Sequence, residues 1–445
     1  MKVLFVVTAF YPEQAIGSIR ITKFAKFLQK QGASISVISL APPPWANRDE
    51  SLYFQGLDEI QWKVIDQSWL FKKVFQKMRV ATIGTVPGNA GMSPTGSKRA
   101  LKVKIRAFAQ FLYTLCKAID WSVRVQKHAD KNFSKDNFDF IFCSYPSFAS
   151  PLSGIKLKKI GIGKNVVADF RDPILADKKS GFSLKKLLQN FIIRNADLHF
   201  FVSSGVRQQV VGDKFLPIDL IAPNGFDSQD IGNLNPPSLS DSEKNVFRFV
   251  YTGAIYSGKR DLRPFFKAIA NVLANSNYTI EQLRFEYAGK EGKIFLSQAK
   301  EFGLNKCVVD HGQISRSNSL LLQQQSDVCL LATWNTSFEQ GALTGKIFEY
   351  FMFKKPVVAI VVGDLAGSEL SMIMNKVGAG FCFEQAETNS NKELEKWLHE
   401  AFKEKIDHGM LQNTYNSNIK NFDINLVVKG INSEMNKLLK SQSIS

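Results

Sequence analysis

Short β-rich segments alternate with longer helical patterns along almost the entire chain, and this alternation limits the fold more than any other feature. KVLFVVTAF (2–10) precedes a helical pattern from about Ser18 to Lys30, and SISVISL (34–40) follows it, which predicts a βαβ unit. Strands that alternate with helices indicate a parallel, doubly wound sheet. Further strands of this first series are predicted at 138–144, 165–170, 198–203 and 218–223.

A second alternating series follows a polar stretch. Residues 226–245 are rich in Asn, Ser, Pro and Asp and show neither hydrophobic period, so we predict an interdomain linker there. A chain of 445 residues also exceeds the roughly 250–300 residues at which single cores stop growing. We therefore predict two doubly wound Rossmann-like α/β domains, at 1–225 and 246–405, that face each other across a cleft, with helices at 406–445 that pack back on the first. The strands predicted for the second series lie at 246–253, 283–289, 306–312, 327–333 and 356–363.

Positive charge is concentrated in one part of a chain whose net charge is +17. Residues 69–128 contain twelve Lys and Arg residues against Asp120 alone, interleaved with Trp, Phe and Tyr. Such a mixture favours an anionic membrane surface. Nucleic acid is the other class of partner for a basic patch, but we do not expect it here. The alternative is a solvated basic face with a buried aromatic side.

Cysteine usage and hydropathy indicate the compartment. The five cysteines lie far apart without a C-x-x-C pair, which suggests neither a zinc site nor a disulfide framework and favours a reducing compartment. No apolar run approaches the roughly 20 residues that span a bilayer, and we interpret the N-terminal apolar run as a strand. We therefore expect a cytoplasmic protein, peripheral on the cytoplasmic face of the inner membrane.

Two glycine-containing loops at the ends of predicted strands are candidate phosphate sites. Gly17 and Ser18 are predicted to lie directly before the first helix, whose amides and dipole would favour a phosphate. An ordinary capped helix is the alternative. The loop that begins at Gly253 carries Lys259 and Arg260, which could neutralise a diphosphate or could form a solvent-facing basic turn.

The most informative segment is GALTGKIFEYF (341–351), a glycine turn followed by a helical pattern. Amides around Thr344 and Gly345 would begin a helix that points at an anion. Lys346 supplies a charge for phosphate, and Glu349 could accept two hydrogen bonds from ribose hydroxyls. The alternative is a surface ion pair between Lys346 and Glu349.

Eight segments, in this order along the chain, resemble the retaining family 4 glycosyltransferases of the two-Rossmann-domain GT-B type that act in bacterial polysaccharide synthesis. The resemblance covers nearly the whole length. The segments are VVTAFYPEQAIGSIR, CSYPSFASPLSG, VVADFRDPI, ADLHFFVSSGVRQQV, APNGFD, YTGAIYSGKRDL, DHGQISRSNSLLLQQQSDVCLLAT and GALTGKIFEYFMFKKPVVA.

The resemblance implies a nucleotide-sugar donor bound by the second domain, an acceptor bound by the first, and transfer without a metal or cofactor. Basic side chains such as Lys259 and Lys346, with helix amides near Gly17, would stabilise the diphosphate leaving group. Glu349 matches the glutamate that binds the donor ribose. The turn that would lie near the nucleotide base consists of His311, Gly312, Gln313 and Ile314, although His311 could equally be a satisfied loop histidine.

The chain departs from the family pattern at three places. Gly341 stands where a sugar-contacting glutamate is common, and Ala254 stands where many members have an arginine. Arg171 and Asp172 replace a histidine near the reaction centre. We expect Asp172 to orient or deprotonate an acceptor hydroxyl and Arg171 to pair with a phosphate, and a salt bridge between the two is the alternative.

These observations predict a retaining hexosyltransferase that moves a sugar to a lipid-linked saccharide or similar acceptor in surface polysaccharide synthesis, such as that of lipopolysaccharide. The alternative is a non-catalytic nucleotide-sugar-binding subunit of a polysaccharide assembly complex, which the missing glutamate at Gly341 allows. A dinucleotide oxidoreductase is disfavoured because no G-x-G-x-x-G follows the first strand.

Overall fold

The chain divides into two units, each built on its own parallel sheet. The computed structural model describes residues 1–13, 16–42, 46, 48–73, 97–172, 184–213, 216–233, 246–337 and 343–444. Unit 1 comprises Met1–Pro223 and Val427–Ser445, and unit 2 comprises Asn224–Leu426. None of the helices in the described residues is long and apolar enough to cross a membrane.

Unit 1 is built on a seven-stranded sheet in the order β3-β2-β1-β4-β5-β6-β7, in which the strand pairs are parallel. Its strands are β1 (Lys2–Val7), β2 (Ser34–Leu40), β3 (Gln61–Ile65), β4 (Phe138–Tyr145), β5 (Gly163–Phe170), β6 (Leu198–Phe201) and β7 (Asp219–Ile221). Its helices are α1 (Ile16–Lys30), α2 (Ser97–Asn132), α3 (Ala149–Lys159), α4 (Leu184–Asn195) and α5 (Ser204–Val211).

The centre of this sheet is buried on both faces, which explains the continuous apolar runs of its strands. Phe5 of β1 pairs in register with Val37 of β2 and with Phe142 of β4. The rings of Phe5 and Phe142 stack with centroids 4.8 Å apart, and both side chains are fully buried. Trp121 of α2 is buried against one face and donates its indole N–H to the Ile65 carbonyl at 2.9 Å.

Unit 2 repeats this design with a six-stranded parallel sheet in the order β10-β9-β8-β11-β12-β13. Its strands are β8 (Phe247–Thr252), β9 (Leu283–Ala288), β10 (Val308–Asp310), β11 (Val328–Trp334), β12 (Val357–Val362) and β13 (Gly380–Glu384). Its helices are α6 (Arg263–Ala274), α7 (Gly292–Lys300), α8 (Arg316–Gln325), α9 (Lys346–Phe353), α10 (Glu369–Val377) and α11 (Ser390–His408). Helix α12 (Ile424–Ile444) follows, and its residues from Val427 onward belong to unit 1.

Strand order reverses once in each sheet, between β1 and β4 in unit 1 and between β8 and β11 in unit 2. Loops that leave the carboxyl ends of the strands on either side of such a switch point diverge and leave a crevice that binds ligands. The two doubly wound sheets confirm the predicted α/β fold class, and the structure contains a strand at each of the predicted positions. It adds two edge strands that were not predicted, β3 and β13.

The predicted linker is wrong for its first part. Residues 226–233 belong to unit 2, where Phe226 donates its backbone N–H to the Phe422 carbonyl at 3.0 Å and accepts from the Ile424 N–H at 2.9 Å. Asp230 forms an ion pair with Arg316 at 2.9 Å. These paired groups hold the segment in place despite its linker-like composition. The remaining residues of the predicted linker, 234–245, lie outside the described residues.

The C-terminal prediction also needs correction, because residues 406–426 belong to unit 2. The ring of Phe422 lies 5.5 Å from the rings of both Phe348 and Phe351, so this segment completes the apolar core around α9. Only the part of the tail from Val427 onward joins unit 1. There Asn432 donates to the Gln31 side chain at 3.0 Å.

Candidate functional site

Helix α9 begins within the segment 341–351, which the sequence analysis identified as the most informative. Gly345 is its N-cap residue and makes no side-chain cap, and the Ile347 and Phe348 N–H groups form only long backbone hydrogen bonds, to the Thr344 carbonyl at 3.4 Å and to the Gly345 carbonyl at 3.3 Å. The hydroxyl of Thr344 is buried and has no hydrogen-bond partner among the described residues. The start of α9 therefore has the partial positive charge and the donors that favour an anion. Gly341 lies outside the described residues.

Glu349 is held within a small polar cluster at the ends of β8 and α9. Its Oε2 accepts from Lys346 Nζ at 2.8 Å and from Gln323 Nε2 at 2.9 Å, while Oε1 accepts no hydrogen bond from the described residues. The side chain of Glu349 is only 19% exposed. Burial raises the pKa of Glu349, but the charges of Lys346 and Arg316 and the two hydrogen bonds outweigh burial and lower it below its ordinary value. The carboxylate is therefore ionised at neutral pH.

Two members of this cluster were not predicted. Gln323 of α8 is fully buried, and its amide nitrogen also lies 3.0 Å from the Thr252 hydroxyl at the end of β8. Arg316, the first residue of α8, is largely buried in its pair with Asp230 and contributes charge near Glu349. One weak signal for Gln323 is present in the sequence, a run of three glutamines inside a helical pattern.

The loop that follows β8 lies next to this cluster. Gly253 adopts a left-handed φ of 127°, and a Cβ at that position would lie 4.0 Å from Lys346 Cε. Lys259 Nζ lies 3.7 Å from the ring centroid of Trp334 at the end of β11. Arg260 donates from Nη1 to the Ala254 carbonyl at 3.1 Å, so its guanidinium is tied to its own loop. Helix α6 begins at Arg263, three residues beyond Arg260.

The turn after β10 contains a histidine, His311, whose ring has a hydrogen-bond partner. His311 Nε2 lies 2.8 Å from Glu286 Oε2, and Glu286 also pairs with Arg248 at 3.3 Å. This pairing gives His311 a structural partner within unit 2, in line with the satisfied-histidine alternative. Gly312 has a left-handed φ of 62° and donates its N–H to Asp310 at 2.9 Å. Gln313 is exposed and Ile314 half-buried, immediately before the N-cap residue of α8.

In unit 1 the first helix begins earlier than predicted. Helix α1 starts at Ile16, so Gly17 and Ser18 lie in its first turn instead of before it. The guanidinium of Arg171 packs directly on Gly17, where a Cβ would lie 2.1 Å from Nη1. The Ser18 hydroxyl is fully buried and has no hydrogen-bond partner among the described residues. The structure thus brings Gly17 and Arg171, 154 positions apart, to the same place.

Arg171 is held there by a buried chain of hydrogen bonds. Its Nε donates to the Ser144 hydroxyl and to the Tyr145 carbonyl, both at 3.1 Å. The Ser144 hydroxyl donates in turn to Asp169 Oδ2 at 2.9 Å, and Asp169 accepts Arg20 Nη2 at 2.7 Å on its other oxygen. Burial and the Arg20 charge lower the pKa of Arg171, while Asp169 opposes them. The terminal Nη groups of Arg171 make no hydrogen bond within the described residues.

Asp172 follows on the same strand end. No ion pair joins its carboxylate to Arg171 in the described part of the chain, so the salt bridge considered as an alternative is not formed, because the Nε of Arg171 turns to Ser144 and Tyr145. Partial desolvation raises the pKa of Asp172, and the Arg171 charge only partly offsets it. Within the described residues, no three His, Cys, Asp or Glu side chains come together as a metal site.

The two sheets, with their strand orders and switch points, define the GT-B class of fold, and comparison with solved structures agrees. The chain is similar to the lipopolysaccharide outer core galactosyltransferase WaaB in its apo form, with a TM-score of 0.57, 13% identity and coverage of 98% of this chain and 99% of that one. It is similar to the trehalose-6-phosphate structure from E. coli bound with UDP-2-fluoro glucose, with a TM-score of 0.62, 14% identity and coverage of 97% and 98%.

A third structure with this fold is a putative UDP-N-acetylglucosamine 2-epimerase from Listeria monocytogenes, with a TM-score of 0.53, 11% identity and coverage of 99% of this chain and 97% of that one. No protein-family model and no curated protein matches the sequence. At these identities the likeness establishes the fold alone. The names of the matching chains describe different activities, so the shared fold does not specify the reaction of this protein.

Proposed function

We propose that the protein is a glycosyltransferase that moves a sugar, with retention, from a nucleotide-sugar donor to a lipid-linked saccharide or similar acceptor in surface polysaccharide synthesis. The observation that carries this proposal is the cluster of Lys346, Glu349 and Gln323 beside the unit 2 switch point. An ammonium group, an ionised carboxylate and a helix start lie within one turn of each other. A nucleoside diphosphate offers the matching groups, which are two ribose hydroxyls and an anionic diphosphate.

The hydrogen bonds of Glu349 support the role of ribose acceptor. Both protein donors reach Oε2, which leaves Oε1 for a ribose hydroxyl. Lys346 uses one of its three N–H donors on Glu349 and is 30% exposed, so its charge can serve a phosphate oxygen as well. The first-turn amides of α9 add donors of the same kind. Together these groups would stabilise the diphosphate leaving group, and for that reason we propose a reaction without a metal or cofactor.

Unit 1 supports the acceptor side of the proposal. The Nη groups of Arg171 lie on Gly17 in the first turn of α1, where a helix start and a guanidinium favour a phosphate. Asp172, with its raised pKa, is suited to orient or accept a proton from an acceptor hydroxyl. In a retaining transfer the acceptor approaches from the leaving-group side, so the departing phosphate itself can take that proton.

The test is turnover by matched variants. Lys346→Ala and Glu349→Gln should abolish release of nucleoside diphosphate from the donor, while Lys396→Ala and Glu400→Gln should not. The control pair is a suitable match because it is an exposed Lys/Glu pair on α11 with an N···O distance of 3.9 Å. Equal turnover in all four variants would contradict the site assignment. Saturable donor binding by the wild type, without transfer to any extracted lipid acceptor, would instead support the non-catalytic subunit.

We further propose that unit 1 contacts an anionic membrane surface through residues 69–128. Large apolar side chains are exposed there, with Trp69 and Leu70 each 66% exposed. Phe108, Leu112 and others are exposed at helical spacing along α2. Lys73 Nζ lies 4.7 Å from the Trp69 ring, so cation and aromatic group occur together. Residues 74–96 of this window lie outside the described residues.

Vesicle sedimentation tests the membrane proposal. The wild type should pellet with phosphatidylglycerol vesicles at low salt and much less with phosphatidylcholine vesicles, because the Coulomb term requires anionic lipid. A Trp69→Ser and Leu70→Ser double variant should lose most of this binding. The equally exposed Met410, which lies in unit 2, provides Met410→Ser as the control. Failure of the wild type to pellet would remove the membrane from the proposal.

A further inference from the structure

The loop after β8 forms an anion-binding nest from its own backbone, and a carboxylate of the same unit fills it. Glu291 Oε2 accepts from the N–H groups of Ile255 at 2.6 Å and Tyr256 at 2.9 Å. Glu291 Oε1 accepts from the Ser257 N–H at 2.7 Å. Three successive N–H groups that converge on one anion are a typical phosphate-binding arrangement. Here the anion is a side chain from the loop that follows β9.

The backbone conformation of this loop is stabilised by its hydrogen bonds to the Glu291 carboxylate. Tyr256 and Ser257 have φ values of 53° and 54°, in the left-handed region that costs free energy for residues other than glycine. Three charge-assisted hydrogen bonds to Glu291 offset that cost. Burial raises the pKa of Glu291, but the three backbone hydrogen bonds and the charge of Arg260 together lower it below its ordinary value. The partner of the nest is therefore an ionised carboxylate.

The loop after β8 places the side chains of Tyr256 and Lys259 against the end of the neighbouring strand β11. The Tyr256 ring meets the Trp334 ring edge-on with centroids 6.2 Å apart, and Lys259 Nζ lies 3.7 Å from the centroid of the same ring. The Lys259 N–H donates to the Tyr256 carbonyl at 3.1 Å, so the two positions are linked. Trp334 ends β11, across the switch point from β8. Tyr256 and Trp334 thus form an aromatic wall, the pair of rings beside the Gly253 loop.

The backbone of Glu291 is itself held in place by hydrogen bonds. Its own backbone N–H donates to the Tyr287 hydroxyl at 3.0 Å, and that hydroxyl donates to the Gly253 carbonyl at 3.0 Å. The loop after β8 is therefore joined to β9 and the loop that follows it at Gly253, through Tyr287, as well as at the nest. A Cβ at Gly289, between them, would lie 2.4 Å from the Gly253 carbonyl oxygen, so only glycine fits there.

We propose that Glu291 is a positioning residue of the donor site. It occupies the amide nest, so the loop backbone does not take the diphosphate. It also holds Tyr256 and Lys259 against Trp334, so that the aromatic wall is preformed for the nucleotide sugar. The charge that meets the diphosphate then comes from side chains, Lys346 foremost, and from the start of α9. This inference rests on the proposed donor site and adds a residue that does not itself touch the donor.

Two measurements on Glu291→Gln test the inference, with Glu400→Gln as the matched loss of a surface carboxylate. In the first, backbone hydrogen exchange is followed for peptides that cover residues 255–257. A glutamine side chain has one acceptor oxygen, and its NH₂ group cannot accept a hydrogen bond from a backbone N–H. Exchange at residues 255–257 should therefore be faster than in the wild type for Glu291→Gln and unchanged for Glu400→Gln. In the second, affinities for UDP, GDP and ADP are titrated. The nucleotide that binds the wild type should bind Glu291→Gln more weakly by about tenfold or more, the scale of one lost charge-assisted hydrogen bond.

The outcomes separate this inference from the proposed function. Unchanged exchange at residues 255–257 would overturn the inference whatever binds. Faster exchange with unchanged nucleotide affinity would show that Glu291 only stabilises the loop, which also overturns it. If the wild type binds none of the nucleotides or their sugars, the proposed donor site fails and the positioning role fails with it, while the exchange result still decides whether Glu291 holds the loop.

Discussion

Replacing Gly17 by alanine should damage activity far more than stability. The new Cβ would lie 2.1 Å from Arg171 Nη1 and 2.7 Å from both Cζ and Nη2. The clash involves the end of a flexible side chain, so Arg171 can move away without a shift of the backbone. To do so it must give up the hydrogen bonds of Nε to the Ser144 hydroxyl and the Tyr145 carbonyl.

The magnitude follows from opposing terms. Alanine gains about 1 kcal/mol over glycine within a helix. The Nε of Arg171 carries a single N–H, which the Ser144 hydroxyl and the Tyr145 carbonyl share, so losing this charged donor counts once, at about 1.5–3 kcal/mol. The net loss of stability should therefore be small, about 0.5–2 kcal/mol. If the Nη groups hold an anionic substrate group, their displacement costs a charge-assisted contact, which corresponds to a loss of about 10- to 150-fold in kcat/KM.

The assay is urea unfolding together with donor-to-acceptor kinetics. Gly430→Ala is the matched control, because Gly430 also lies in a helix and a Cβ there would have no neighbour within 4 Å. That variant should gain about 1 kcal/mol and keep its activity. A Gly17→Ala protein that is more stable than the wild type and fully active would contradict this prediction, because it would show that activity does not require the packing of Arg171 on Gly17.

Three further changes test other parts of the structure. Asp172→Asn should remove an acid limb from the pH profile of kcat/KM, and that limb should lie above the ordinary aspartate pKa of about 3.9, because activity falls as the carboxylate is protonated. Asp169→Asn should lower the free energy of unfolding by about 3–5 kcal/mol in urea titrations, because it leaves Arg20 buried without its countercharge. Gly154→Ala should cost about 1–3 kcal/mol by calorimetry, because its Cβ would lie 2.2 Å from the buried Cys143 Sγ.

The strands of the fold were predictable because most of them are buried in parallel sheets and read as apolar runs, as in VVAIVV at β12. The two missed strands are edge strands. In β3, four of five residues are exposed and the sequence QWKVI lacks an apolar run. The start of α1 was misplaced because Gly-Ser reads as a cap, whereas the helix begins at Ile16 and buries Ser18.

The local part of the candidate site was visible in the sequence, and the long-range part was not. Lys346 and Glu349 lie three positions apart on one helix, so helical geometry alone brings them together. Gln323 reaches Glu349 from another helix, and Glu291 reaches the Ile255 amide from 36 positions away. Neither contact follows a local period. Residues 226–233 have a polar composition that is typical of a linker. Their pairing with Phe422 and Arg316 is non-local, so the sequence did not reveal it.

The most direct test of donor binding by Lys346 and Glu349 is a thermal-shift titration of the wild type and Glu349→Gln with a panel of nucleotide sugars. At least one donor should raise the melting temperature of the wild type saturably, and the same donor should shift the variant much less because the ribose loses its carboxylate partner. Absence of a shift with every nucleotide sugar, or equal shifts for both proteins, would contradict the claim that Glu349 and Lys346 bind the donor.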